Sequence, residues 1–339
     1  MSGDVQSVTE EAIVCSERGK FEIVVVGSCF VDMLWYIPRL PKRGETIHAT
    51  KFQMDFGGKA ANQCCMASKL GAKVAMVAMV GKDKFGDDTI QNFKDLGVNT
   101  DHILQTDDAA TGVTSINVDS EGKPGFISMA GSNRLLTIDQ VQPALNKLQG
   151  FHVLVCDKGI PLNTSAQVLK HGKQLGAKTI FNPSPRIEQM EPEMYRSISL
   201  MVLNGDEGEG LTGIPVNDIT SAKTVIMEIH KRGTAAVVLT LGKHGAVCSQ
   251  EGCPMFHVKT RQVQAVDTTG AGDCLVGCLA FYLANYPHLS FPEMVARAVD
   301  IATTAVTSGG VQSSYPSHKD LSQALFDDIE VYSLDKSIV

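Results

Sequence analysis

Short, continuously apolar runs recur along the chain, most of them closed by a polar residue or a glycine. Ile23-Val24-Val25-Val26 ends at Gly27 and residues 74–80 end at Gly81. Val153-Leu154-Val155-Cys156 follows a polar stretch, and Thr179-Ile180-Phe181 ends at Asn182 and Pro183. Leu200-Met201-Val202-Leu203 ends at Asn204, and residues 235–241 end at Gly242. Runs of this length, rich in β-branched residues, are the pattern of parallel strands covered on both faces. Between them, residues 165–175 and 221–232 carry helical spacing. This alternation predicts a mainly parallel sheet with helices on both sides, a three-layer α/β/α architecture.

Two regions depart from that pattern. Residues 33–56 and 111–129 mix polar and apolar positions in alternation, as in Thr114-Ser115-Ile116-Asn117-Val118. They also carry the turn residues Pro38, Pro41, Gly44, Gly122 and Pro124. They predict antiparallel strands outside the main sheet, a small β-sheet lid, with surface hairpins as the alternative on pattern alone. Asn182, Asn204 and Thr240 each sit where an apolar run ends. Any one of them alone reads as a strand terminator. Three together, next to glycine-rich loops, point to the carboxyl edge of the sheet, where open α/β folds bind ligands.

The chain has 339 residues, 43% hydrophobic and 20% charged. That size suits one large α/β domain with a small appendage. A net charge of −7 argues against a general nucleic-acid surface, because phosphate binding wants a basic face. The nine cysteines are odd in number and lie mostly in apolar runs, so they read as reduced thiols rather than a disulfide framework. No apolar run approaches the ~20 residues that cross a bilayer. Residues 1–20 are polar and acidic and predict a loose tail, as do residues 327–339 at the other end. A cytoplasmic location is expected by elimination, with the nucleus left open.

The most informative segment is Asp267-Thr268-Thr269-Gly270-Ala271-Gly272-Asp273. It follows a run that reads as extended, residues 262–266, and precedes a run of small apolar residues suited to a buried helix. Gly270, Ala271 and Gly272 therefore fall at a helix N-terminus, where amides lack helical partners and the dipole is positive. With no bulky side chains in the way, an anion can reach that backbone. Asp273 lies in the first turn beside this cradle. A carboxylate there serves either as an ordinary helix-start acid or as the base that accepts a proton from an attacking hydroxyl. No Gly-x-x-x-x-Gly-Lys-Ser/Thr loop and no protein-kinase His-Arg-Asp set occur, so phosphoryl transfer would need another scaffold.

Four motifs in order carry a resemblance. Residues 267–273 resemble the carboxyl-terminal signature of the ribokinase-like carbohydrate kinase family, and Phe56-Gly57-Gly58-Lys59-Ala60-Ala61-Asn62-Gln63 resembles its amino-terminal one. Asn204-Gly205-Asp206-Glu207 is similar to its Asn-x-x-Glu motif, and Thr240-Leu241-Gly242-Lys243-His244-Gly245 to its nucleotide loop. The likeness runs over residues 21–326. Segments 27–32, 41–46 and 312–316 look most like the eukaryotic ribokinase branch.

The resemblance implies a ribokinase-like fold and an ATP-dependent sugar kinase, with D-ribose phosphorylated at O5 as the expected reaction. It makes Asp273 the catalytic base and the Gly270, Ala271 and Gly272 amides the anion hole. Asp32, Gly58, Lys59 and Asn62 become sugar contacts. Asn204 and Glu207 would organise Mg²⁺ and the ATP phosphates, and Thr240, Gly242 and Gly245 would lie near the nucleoside of ATP. A K⁺ loop would be formed by Asp267 and Thr269 with Ala305, Ser308, Gly310 and Ser314. The family also implies a homodimer in which two lids pack together. Three departures stand out. Gly159 occupies the place of the family's sugar-binding glutamate, Ala60 replaces a usual glycine, and Val299 replaces an asparagine near adenine. Gly159 keeps open another acceptor, such as a different sugar or a nucleoside, and a homologue that binds nucleotide with weakened turnover.

Overall fold

The computed structural model describes residues 20–121, 124–329 and 331–332. The strands are β1 (Ile23–Val26), β2 (Phe30–Tyr36), β3 (Lys51–Gly57), β4 (Val74–Gly81), β5 (Asn99–Thr106), β6 (Gly112–Val118), β7 (Pro124–Met129), β8 (Val153–Asp157), β9 (Lys178–Asn182), β10 (Leu200–Asn204), β11 (Ala236–Thr240), β12 (Ala246–Gln250) and β13 (Phe256–Val258). The α-helices are α1 (Lys59–Lys69), α2 (Lys84–Asp95), α3 (Ile138–Lys147), α4 (Leu162–Gln174), α5 (Pro192–Arg196), α6 (Gly205–Thr212), α7 (Ile219–Lys231), α8 (Ala271–Asn285) and α9 (Phe291–Ala305).

Nine strands form the main sheet in the order β13-β12-β11-β10-β9-β8-β1-β4-β5. The pairings from β11 through β5 are parallel, and β12 and β13 close one edge antiparallel. Successive residues of a strand face opposite layers. In β1, Ile23 and Val25 enter a core with residues of α1, α8 and α9, whereas Val24 and Val26 enter a second core with residues of α3, α4 and α7. Both faces are therefore dry, which is why the central strands are apolar along most of their length. All six apolar runs read from the sequence are strands of this sheet.

The smaller sheet runs β3-β2-β6-β7. Its outer pairings are antiparallel, but β2 and β6 run parallel along their whole length, Phe30 opposite Gly112 through Tyr36 opposite Val118. The two lid segments come from separate crossovers and meet at the centre of this sheet, so the expectation of purely antiparallel pairing is corrected there. Residues 262–266, expected to be extended, pair with no strand. Val266 is exposed and is tied to the domain by backbone bonding to Val306.

Residues 327–329 and 331–332 dock on α9. Arg297 is fully buried, pairs with Glu293 at 2.8 Å and donates to the carbonyls of Leu325, Asp327 and Ile329. Glu293 in turn accepts from the amides of Val331 and Tyr332. The predicted 1–20 tail, the Gly122 turn and residues 333–339 lie outside the described residues, apart from Lys20. No helix among the described residues is long and apolar enough to cross a membrane.

Candidate active site

The carboxyl ends of β9, β10 and β11 place Asn182, Asn204 and Thr240 side by side, and all three line one cleft of about 180 Å³. Its far wall is Gly270, Gly272 and Asp273, where α8 begins, and Lys59 from α1 completes it. Helix α8 opens with Gly270 in the left-handed region, φ +77°. A side chain there would strike Val311 and the Tyr315 hydroxyl, which donates to the Gly270 carbonyl at 2.8 Å. A Cβ on Gly272 would meet nothing within 4 Å, so that stretch of backbone is open. The Ala271 amide instead leans back to the Thr268 carbonyl at 3.3 Å. Of the three expected anion-hole residues, Gly270 and Gly272 line the cleft.

Asp273 is 5% exposed and its carboxylate is held from one side by α1. Asn62 donates to Oδ2 at 3.0 Å, Gln63 donates to Oδ1 at 3.0 Å, and Lys59 Nζ stands 3.8 Å from Oδ1. Positions i, i+3 and i+4 share one helix face, which is how a single helix presents all three donors. Lys59 is held above the usual lysine range, chiefly by the Asp273 charge, and stays cationic. Gln63 belongs to the amino-terminal motif but carried no assigned role. Its spacing four residues after Lys59 was the available signal.

Gly58 caps α1 at φ +93°, and a Cβ there would lie 2.6 Å from the Ser28 carbonyl. Gly57, just before it, makes room for the Asp32 carboxylate, whose Oδ2 would be 2.0 Å from a Cβ at that position. Burial, then the neighbouring Asp55 charge, pushes Asp32 up to about 7. Asp32, Gly58 and Asn62 thus surround the β3–α1 junction.

Asn204 and Glu207 form a reciprocal capping box on α6, each side chain accepting from the other's amide at 2.9 Å. Both line the cleft. A carboxylate and an amide oxygen are hard oxygen donors of the kind Mg²⁺ takes. Thr240 lines the cleft, while Gly242 and Gly245 shape the turn beyond it, both with positive φ. A Cβ on Gly245 would lie 1.9 Å from the Val258 carbonyl.

The two halves of the expected K⁺ loop are adjacent. Asp267 accepts from Thr269 N at 2.9 Å and from Gly310 N at 3.3 Å. Ser314 donates to the Val311 carbonyl at 2.8 Å, and the Ala305 carbonyl accepts from Ser308 N. The Asp267 carboxylate is thus the bridge between the two halves, and carboxylate and carbonyl oxygens are the donors hard cations take.

Asp157 is fully buried and accepts from Ser28 N, Ser28 Oγ, Ala60 N and Gly159 N. Burial pushes it above the usual carboxylate range. Its oxygens are committed to the floor of the site, so it does not replace the missing glutamate as a sugar contact. A Cβ at Gly159 would lie 2.3 Å from Ser28 Oγ, which explains the glycine.

A family model described as pfkB family carbohydrate kinase matches residues 20–318. The chain belongs to that family. Among curated relatives of this carbohydrate kinase, mouse "Ribokinase" is 45% identical over 90% of this chain and 94% of the relative. "Deoxyribokinase" of Salmonella typhi is 32% identical over 90% of this chain and 98% of the relative. The solved structure of Arabidopsis thaliana ribokinase complexed with ribose and ATP superimposes with a TM-score of 0.83 at 28% identity, covering 88% of this chain and 97% of the other. The ribokinase-like α/β fold expected from the motifs is the one observed.

Proposed function

We propose that this carbohydrate kinase transfers the γ-phosphoryl group of ATP to O5 of D-ribose, giving D-ribose 5-phosphate and ADP. The observation that carries this is the buried Asp273 carboxylate, fixed by Asn62 and Gln63, beside the glycine-opened N-terminus of α8. In this account Asp273 takes the proton of the attacking hydroxyl, one oxygen bond forms to the γ-phosphorus, and the bond to the ADP oxygen breaks. Charge on the transferring group meets the α8 N-terminus and Lys59, already aimed at the cleft. Asp32, Gly58 and Asn62 hold the sugar against the β3–α1 junction, and Thr240, Gly242 and Gly245 border the nucleoside.

Asn204 and Glu207 would hold Mg²⁺, which shields the phosphate charge. Asp267, Thr269, Ala305, Ser308, Gly310 and Ser314 would hold K⁺, which stiffens the loop behind Gly270. Exposed apolar side chains on the small sheet, among them Phe52, Met54, Phe126 and Ile127, support a homodimer formed lid to lid. Eight described cysteines are free thiols, in keeping with a cytoplasmic setting.

A panel of sugars and nucleosides, assayed with ATP in K⁺ and in a bulky organic cation, tests the proposal. D-ribose is expected to be turned over most efficiently, and faster in K⁺. Preference for another acceptor contradicts the substrate, and equal rates in the two cations contradict the K⁺ site.

A further inference from the structure

Strand β3 of the lid runs through Gly57 and Gly58 directly into α1, the helix that carries Lys59, Asn62 and Gln63. Whatever fixes the end of β3 therefore fixes the start of the helix that aims Asp273. Asp55 sits at that end, directly across from Asp32 in the β2–β3 ladder. Its Oδ1 accepts from the Phe56 amide at 2.8 Å. Its Oδ2 reaches across to a distant segment, accepting from Val311 N and from Ser313 Oγ, both at 3.2 Å.

That segment, residues 310–315, is bonded to α1 and to the chain that opens α8. Gly310 N donates to Asp267. Gln312 donates to Asn62 Oδ1 at 3.1 Å and accepts from Asn92 at 3.0 Å. Lys69 Nζ donates to the carbonyls of Gln312 and Tyr315. Tyr315 donates to the Gly270 carbonyl. Hydrogen bonds joined by the backbone of residues 311–313 thus lead from Asp55 on the lid to Asn62 and on to Asp273. A parallel path leads to the first residue of the α8 opening.

We infer that Asp55 is a positioning residue that couples the lid to Asp273 and to the Gly270 opening through residues 310–315. It does not touch the reacting atoms. It locks the lid end of β3 to the loop behind the anion cradle, so that a sugar held under the lid and a correctly aimed base occur together. The glycine at 310 is part of the device, since a Cβ there would lie 2.2 Å from Ser313 Oγ and 3.4 Å from Asp55 Oδ2. The inference rests on the sugar-kinase function proposed above.

The test compares wild type, Asp55→Ala, Asp55→Asn, Ser313→Ala and the Asp55→Ala/Ser313→Ala pair. For Asp55→Ala, kcat/KM for D-ribose is expected to fall about 10-fold, as misplacement of reacting groups does. KM for ATP should stay within about twofold, because the nucleotide side of the cleft is untouched. Asp55→Asn, which keeps an acceptor for the loop, should recover most of the loss. The double variant should be no worse than Asp55→Ala, since both remove one link. Hydrogen exchange with D-ribose alone gives a readout free of turnover. In wild type the sugar should slow exchange in both β3 and residues 310–315, and in Asp55→Ala only in β3. A wild type that phosphorylates sugar while Asp55→Ala matches it in kinetics and exchange overturns the latch alone. So do losses that multiply in the double variant, or equal losses toward sugar and ATP with a lowered unfolding temperature. A wild type inert toward every sugar overturns the functional proposal beneath it.

Discussion

Asn62 donates to Asp273 Oδ2 at 3.0 Å while its own carbonyl oxygen accepts from Gln312, so the carboxylate is aimed by a side chain that is itself held. These residues come from three distant parts of the chain, and each is buried. Orientation of this kind separates a base from a helix-start acid that merely meets the dipole.

Gln63 supplies the second donor to Asp273 and is fully buried. Gln63→Met keeps the volume but removes that donor. The loss of orientation is expected to lower kcat about 10-fold. KM for ATP should be nearly unchanged, as steady-state kinetics would show.

Asp32 holds its proton up to about 7 in the folded chain, against 3.8 for an ordinary aspartate. The folded state therefore binds more protons between those values, and stability falls as pH rises through that window. A deprotonated Asp32 can accept from two sugar hydroxyls at once, so KM for the sugar should rise as pH drops below about 7. KM for ATP should stay flat. Asp32→Asn should abolish the sugar dependence, and Asp55→Asn should move its inflection downward by removing the second cause of the shift. A KM profile measured from pH 5 to 9 decides it.

Gly159 leaves no room for a side chain. Gly159→Ala forces a Cβ against Ser28 and should cost about 1–3 kcal/mol, in line with overpacking of a filled site. Ser28→Gly removes the obstructing atoms, so the double variant Ser28→Gly/Gly159→Ala should be less destabilised than the two single losses summed. Chemical denaturation measures both.

Arg297→Met would strand Glu293 and three carbonyls in the interior. A loss of about 3–5 kcal/mol is expected, the usual result of breaking a buried pair by removing one partner. The activity of the molecules that remain folded should be unchanged, because α9 carries this pair away from the cleft.

The central strands were legible because they are buried on both faces, which leaves apolar residues at most positions. Strands β5 and β13 were not, because they are the two edges of the sheet. Asn99-Thr100-Asp101-His102 in β5 shows the polar residues an edge tolerates. Asn182, Asn204 and Thr240 revealed the cleft because polar residues ending buried strands mark the carboxyl edge of the sheet. The parallel β2–β6 pairing was hidden, since alternation shows which face a residue takes and not which partner a strand chooses. The bonding roles of Gln312 and Asp157 were not legible for a related reason. They lie in hydrogen bonds to residues more than 90 positions away, and no local pattern encodes those.

The most direct test of the account is Asp273→Asn, which keeps the shape of the side chain and removes its capacity to take a proton. Turnover of D-ribose is expected to fall by about 10²–10⁴, the usual contribution of a positioned base, while calorimetry shows ATP still bound with near-wild-type affinity. A variant that retains turnover within a few-fold of wild type would contradict the assignment of Asp273 as the group that deprotonates the sugar.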